Sequence, residues 1–123
     1  MKYFISAFTT DNNLLENFQA TNRLIEKIEY RLGILNPVQV LGVYKGIPEV
    51  SLMVESYDLI TVELLKIARE FKQESILTVG DNDNAYLRFT NGDLQRIGKF
   101  EQANPEHDST DHSIIDGVKY VIK

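Results

Sequence analysis

Pro37-Val-Gln-Val-Leu-Gly-Val-Tyr-Lys-Gly-Ile-Pro-Glu-Val-Ser-Leu-Met-Val-Glu-Ser56 reads as two strands, 37–44 and 49–56, about the loop Lys45-Gly46-Ile47-Pro48. Strand side chains alternate between faces with period two. Leu41, Val43, Val50, Leu52 and Val54 then share a purely apolar face, the expected helix-packed core. Val40, Gly42, Tyr44, Glu49, Ser51 and Met53 share the opposite face, which is mixed and small at its centre, as a ligand site or a subunit contact would be. Pairing symmetric about the loop sets Tyr44 opposite Glu49 and Gly42 opposite Ser51. A ring beside a carboxylate suits a cation, although the same two residues also serve as the polar end of an ordinary hairpin.

The flanking sequence extends this pattern. Residues 2–9 alternate and are aromatic-rich, as in a strand. Thr10 or Asp11 can cap a helix running to Leu32, with Leu14, Phe18, Ile25, Ile28 and Leu32 on one face and Gly33 as its stop. Asp58 can cap a second helix, about 59–72, facing inward through Ile60, Leu64, Ile67 and Phe71. Strands are expected at 74–80, 85–90 and 94–101, with turns at Asp81-Asn82-Asp83-Asn84 and Asn91-Gly92. Asp116-Gly117 between apolar runs marks a closing hairpin. Strand-helix-strand-strand-helix-strand is the order of a ferredoxin-like α+β fold, an antiparallel βαββαβ sheet with two helices on one face, here with extra C-terminal β-strands. A single domain, 1–123, is expected, with a core at 1–101, a polar segment at 102–112 and a C-terminal hairpin at 113–123.

Composition narrows the function. The 123 residues are 43% apolar, carry a net charge of −5 and contain no cysteine, so thiolate and disulfide chemistry are excluded. Basic residues are scattered, against nucleic-acid binding, and the acidity is too mild for a DNA mimic. No run of about 18 apolar residues suggests a membrane span, and the start reads as a strand rather than a leader. A reducing cytoplasm fits. His107, Asp108, Asp111 and His112 have metal-ligand chemistry but sit in the polar segment, where a solvated loop is the expectation. The 81–84 turn lacks the later ligands of a calcium loop. No phosphate-binding glycine loop and no nucleophile elbow are present. Tyr44 and Glu49 remain, with Ser6-Ala7-Phe8-Thr9 ending the first strand. Asn17, Gln19, Arg23 and Gln73 are further polar candidates, while the remaining aromatic residues read as packing.

Ile5-Ser6-Ala7-Phe8, Gly42-Val43-Tyr44, Glu49-Val50-Ser51-Leu52-Met53-Val54, the run Ile67 to Leu77 and Ile114-Ile115-Asp116-Gly117 together resemble the small bacteriophage enzymes that degrade S-adenosylmethionine, first described as hydrolases and later as lyases. The similarity runs nearly end to end, and the order and spacing of the motifs are more specific than any one of them. The loop before Glu49 is shorter than in some members. The resemblance implies a ferredoxin-like trimer like that of the PII signalling proteins, with active sites between subunits. Tyr44 and Glu49 match the family's functional tyrosine and glutamate, and Ser6, Ala7, Phe8, Gly42, Val43, Ser51 and Gln73 are the implied substrate-binding set.

The implied reaction needs no cofactor. The substrate's own carboxylate attacks its γ-carbon, giving homoserine lactone and methylthioadenosine. Glu49 would hold the ammonium, and Tyr44 would pack against the sulfonium region or hydrogen-bond the same end. Loss of S-adenosylmethionine would starve restriction enzymes that use it, an anti-restriction role in the host cytoplasm for a phage-encoded enzyme. The alternative is a PII-like nucleotide- or S-adenosylmethionine-binding regulator without turnover, since fold does not fix function. An uncharacterised bacterial domain family with a similar Gly…Glu-x-Ser and Phe-x-Gln pattern belongs to that reading.

Overall fold

The structure, a computed structural model, describes residues 1–44, 46–56, 60–104 and 111–123, with the side chain of Tyr44 also outside the description. The elements are β1 (Lys2–Ser6), α1 (Leu14–Leu32), β2 (Val38–Tyr44), β3 (Ile47–Glu55), α2 (Thr61–Glu70), β4 (Ser75–Val79), β5 (Asn84–Phe89), β6 (Leu94–Gln102), β7 (His112–Ile115) and β8 (Val118–Ile122). The eight strands form one closed antiparallel barrel in the order β1-β3-β2-β7-β8-β6-β5-β4.

Closure overturns the expectation of an open ferredoxin-like sheet, and the reason is burial. Tyr3 and Ile5 on β1, and Ala7 just after it, face the helices, while Phe4 faces the other way with Val40, Met53 and Val79. An open sheet would leave that second apolar face in water. Here Ala85, Phe100 and Ile115, from the later strands, complete it as the interior of a barrel. β7 pairs with the free edge of β2, and β5 with that of β4. Neither edge of the first four strands stays open to pair with another chain.

Both helices pack outside, on the face of β1, β3 and β4. Leu24, Ile28, Leu64 and Ile67 are completely buried there against Tyr3, Ile5, Leu52 and Val54. α1 is capped not by Thr10 or Asp11 but by Asn13, whose side chain accepts from Glu16 N while Glu16 accepts from Asn13 N. This reciprocal box satisfies two otherwise orphaned donors. The inward stripe also differs from expectation. Asn17, Ala20, Thr21, Leu24 and Ile28 are buried, whereas Leu14 and Phe18 are exposed. Asn17 is held inward because its amide bonds both Thr9 N and Thr9 O, at 2.9 and 3.2 Å, and ties the β1–α1 loop to the helix. Arg31 grips Glu70 with two 2.8 Å bonds and so joins the helices at their ends. The expected cap Asp58 lies outside the described residues, and α2 has no side-chain cap.

The polar segment is partly structured as well. β6 runs through Gln102, Ala103 is buried and donates its N–H to Lys119 O, and His112 opens β7. His107 and Asp108 lie outside the described residues. Among the described residues, no helix is long and apolar enough to cross a membrane.

β6 must leave β5 and turn to β8, and Gly98 makes that corner. The β5–β6 register slips beside it, where Ala85 pairs with Gly98 but Tyr86 pairs with Arg96. Its φ is +139°, and a Cβ there would strike the backbone carbonyl of Lys123. Gly98→Ala is therefore expected to cost about 1–3 kcal/mol or more and to lower the thermal midpoint. Calorimetry of the variant checks this, and an unchanged midpoint would show that the corner tolerates a side chain.

Candidate active site

The β2–β3 hairpin turns more tightly than the sequence suggests. Tyr44 pairs with Ile47, so the connection takes only positions 45 and 46, with Gly46 at φ +77°. Pro48 falls inside the strand opposite Val43. Every pair moves by two residues from the expected register. Glu49 faces Gly42 and Ser51 faces Val40, and the Tyr44–Glu49 pair does not form. An even shift keeps each side chain on its face. Val40, Gly42, Glu49, Ser51 and Met53 thus remain together, on the side that closure makes the barrel interior.

The apolar set on the outer face divides instead. Leu52 and Val54 are buried under the helices, but Leu41 is 45% exposed, and Val43 and Val50 are only partly covered. The helices do not reach that end of β2 and β3.

Inside the barrel, Glu49 pairs with Gly42, Gly42 with Ser113 and Ser113 with Tyr120. Four strands thereby contribute one inward-facing row. Glycine at position 42 leaves open the space beside the carboxylate. A cavity of about 650 Å³ results, well within the range of small-molecule sites. Eight strands leave room for one small ligand where the inward side chains are short.

The polar lining of the cavity is Ser6, Glu49, Ser51, Gln73, Ser75 and Ser113, and its apolar lining is Phe4, Leu77, Leu87, Ile97, Phe100 and Ile122 beside Tyr120. Ser6 is fixed, since its hydroxyl donates to Val50 O at 2.8 Å and accepts from Phe8 N at 3.0 Å. Gln73 donates to Phe8 O and Phe71 O, pinning the end of β1 to the turn before β4. Phe100 stacks on Tyr120 at 5.0 Å and leans on Phe4 at 5.4 Å. Asp111 and His112 complete the lining, and His112 Nδ1 is buried without a hydrogen-bond partner. None of the described lining residues is lysine or arginine.

Of the residues singled out in the sequence, Ser6, Glu49, Ser51 and Gln73 meet in this cavity, with Gly42 in the same row. Ala7 is buried on the helix side, and Val43 faces away from Gly42. Phe8 packs edge-on against Phe18 at 5.6 Å and lines, with Thr9, Thr10 and Asp11, an adjoining depression that shares Gln73 and Ser75 with the cavity. Gln19 and Arg23 are exposed on α1. The Tyr44 side chain lies outside the description. Sequence reasoning missed Ser113, Tyr120 and Phe100 as lining. The signal available was their inward parity once the last hairpin closes the barrel.

The family model described as the S-adenosylmethionine lyase family matches residues 3–123. The chain belongs to the S-adenosylmethionine lyase family. It is an enzyme, a lyase acting on S-adenosylmethionine. A search of curated proteins gives no match. The substrate of a lyase of this kind bears a sulfonium and an ammonium beside one carboxylate, so it is a net cation. A cavity whose described lining offers Glu49 and Asp111 and no lysine or arginine has the complementary sign.

Burial pushes the Glu49 carboxyl above its ordinary value, and hydrogen bonding with Ser6 pulls it back by less. A carboxyl raised in this way holds its proton more tightly when folded than when unfolded. Its ionisation therefore costs folding free energy, and stability falls as pH rises from the ordinary carboxylate range through the raised value. Glu49→Gln is expected to melt higher than the parent above that window, with the gap closing below it. Melting curves across pH check this, and a gap that does not vary with pH would place the ionised carboxylate in a water-like environment.

Proposed function

We propose that the barrel cavity is where the lyase breaks down S-adenosylmethionine, by attack of the substrate's own carboxylate on its γ-carbon. A carboxylate oxygen forms the new C–O bond, the C–S bond breaks, and its electron pair neutralises the sulfonium. The products are L-homoserine lactone and methylthioadenosine, and no proton changes hands. The observation that carries this reading is the partly buried Glu49 carboxylate on a cavity whose described lining has no lysine or arginine.

The work left to the protein is geometric. The methionyl chain must curl until its carboxylate lies in line with the C–S bond, with water kept out. Glu49, already partly stripped of water, exchanges the remainder for the substrate ammonium and holds the curl. Its place at the ammonium, rather than at the sulfonium, avoids stabilising the charge that the reaction removes. Tyr44, two residues along β2 from the Gly42–Glu49 pair, is the residue we assign to the sulfonium end. Ser6, Ser51 and Gln73 serve as polar contacts, and Gly42 provides room. Ala7, Phe8 and Val43 act behind this surface by shaping the strand ends.

The assembly we propose is a homotrimer, with the site bordered by a neighbouring subunit. The exposed Leu41, with Val43 and Val50 beside it on the outer face, supports it, because apolar residues grouped on one face beside a site favour burial against another copy. The cellular role we propose is removal of the methyl donor that restriction enzymes use, in the host cytoplasm during phage infection.

Purified protein incubated with S-adenosylmethionine is expected to release methylthioadenosine and homoserine lactone, identified by mass spectrometry. Homoserine as the earliest product would mean attack by water instead. Glu49→Gln is expected to lower kcat/KM by about 100-fold, the scale of losing one partner of a desolvated charge pair. Unchanged turnover would remove Glu49 from the site. By sedimentation, Leu41→Asp is expected to shift a trimeric parent towards monomer, and a monomeric parent would end the trimer reading.

A further inference from the structure

The site as proposed accounts for the charged end of the substrate and leaves the aromatic part of the cavity lining without a role. Phe100 and Tyr120, on β6 and β8, lie outside the motifs that carry the resemblance. Tyr120 ends the cross-strand row that begins at Glu49. β8 and β3 stand three places apart in a ring of eight strands, so the two side chains face each other across the barrel. Tyr120 lies nearly parallel to Phe100, 9° apart at 5.0 Å, and Phe4 closes the group behind. Tyr120 is only partly buried, and both rings line the cavity.

An existing aromatic stack with cavity beside it can extend by one more flat ring. The ligand class follows from the lining as a whole. A flat π-face gains from such a wall. The hydroxyls of Ser51 and Ser75 on the same cavity can bond a sugar or a ring edge. A phosphate group would meet Glu49 and Asp111 with no lysine or arginine among the described lining residues. An uncharged nucleoside therefore fits and a nucleotide does not.

We infer that Phe100 and Tyr120 form a purine-nucleoside subsite, on which the adenosyl part of the substrate stacks while its amino-acid part reaches Glu49 on the far wall. This inference rests on the proposed function of the cavity. The adenosyl group makes no bond in the reaction, so this wall anchors and orients. The energy gained there helps hold the methionyl chain in its curled form. The same wall retains methylthioadenosine after the lactone forms.

Methylthioadenosine is the probe, since it carries the purine and does not react. The chain has no tryptophan, so Tyr120→Trp introduces a single indole at the wall. Its fluorescence is expected to be quenched on titration with methylthioadenosine, and not with adenosine 5′-triphosphate at equal concentration. Tyr120→Leu is expected to weaken methylthioadenosine binding by about tenfold or more, the effect of losing one stacking partner. KM for S-adenosylmethionine should rise with it, while Tyr120→Phe keeps both values near the parent's. Binding of methylthioadenosine by Tyr120→Leu as tight as by the parent would overturn the subsite. An indole whose emission ignores methylthioadenosine would overturn it too, and this second readout stands even if the leucine variant fails to fold. A parent that leaves S-adenosylmethionine intact would instead sink the proposed function, whatever the fluorescence shows.

Discussion

The pairing of β7 with β2, Leu41 to Ile114, Gly42 to Ser113 and Val43 to His112, is the constraint on which the remainder of the structure depends. It joins the last hairpin to the edge of the first four strands and turns a two-faced sheet into a ring. Once the ring exists, the strand alternation acquires two different meanings. Outward residues of β1, β3 and β4 meet α1 and α2 and form a close-packed layer. Inward residues must fill a closed interior, and they do so at one end only. Met53, Val79 and Ala85 are buried there. Towards the other end Gly42 and the serines are too small to meet in the middle, and the cavity is what they leave. The site is thus a packing deficit placed by side-chain size on a backbone that is otherwise regular.

Glu49 shows what such a placement costs and what it returns. A carboxylate part-way into an apolar barrel loses hydration that Ser6 only partly replaces. Stability pulls towards a neutral residue at this position, while recognition of a cation pulls towards charge. The surroundings answer with rigidity. Ser6 is held from both sides by the backbone, and Gln73 fastens the end of β1 to the turn before β4. The polar wall therefore keeps its shape before any ligand arrives, and little ordering remains to be done on binding.

Much of this was legible in the residues, and the failures have physical causes. Period two along 37–56 sorted Gly42, Glu49 and Ser51 onto one face correctly, because face depends on parity alone. It could not settle the register, because register depends on turn length, and Lys45-Gly46 suffices where four residues were assumed. Helical spacing located α1 and put Ile28 inside correctly, but began its inward stripe at Leu14 and Phe18, which are exposed. The competing signal was Asn13 with Glu16, which starts the helix later, and Asn17, a polar residue drawn inside by its bonds to Thr9. The ferredoxin-like sheet followed from element order, which is local. Closure is not local. It required noticing that Phe4, Val40 and Val79 form a second apolar face in need of a cover, and that Phe100 and Ile115 could supply it. The aromatic wall of the cavity was missed for the same reason.

Closure by the last hairpin also bears on synthesis. β2 leaves the ribosome about 70 residues ahead of β7, and β1 pairs with β3 and β4 well before the ring can shut. Contacts so distant in sequence form late, because the loop between them must be ordered first. Until residues 112–122 emerge, the row from Glu49 ends at Gly42, with neither Ser113 nor Tyr120 in place. The nascent chain therefore holds a helix-covered half-sheet with no enclosed site. An enzyme that consumes a metabolite needed throughout the cell would gain its activity only once that hairpin has been made.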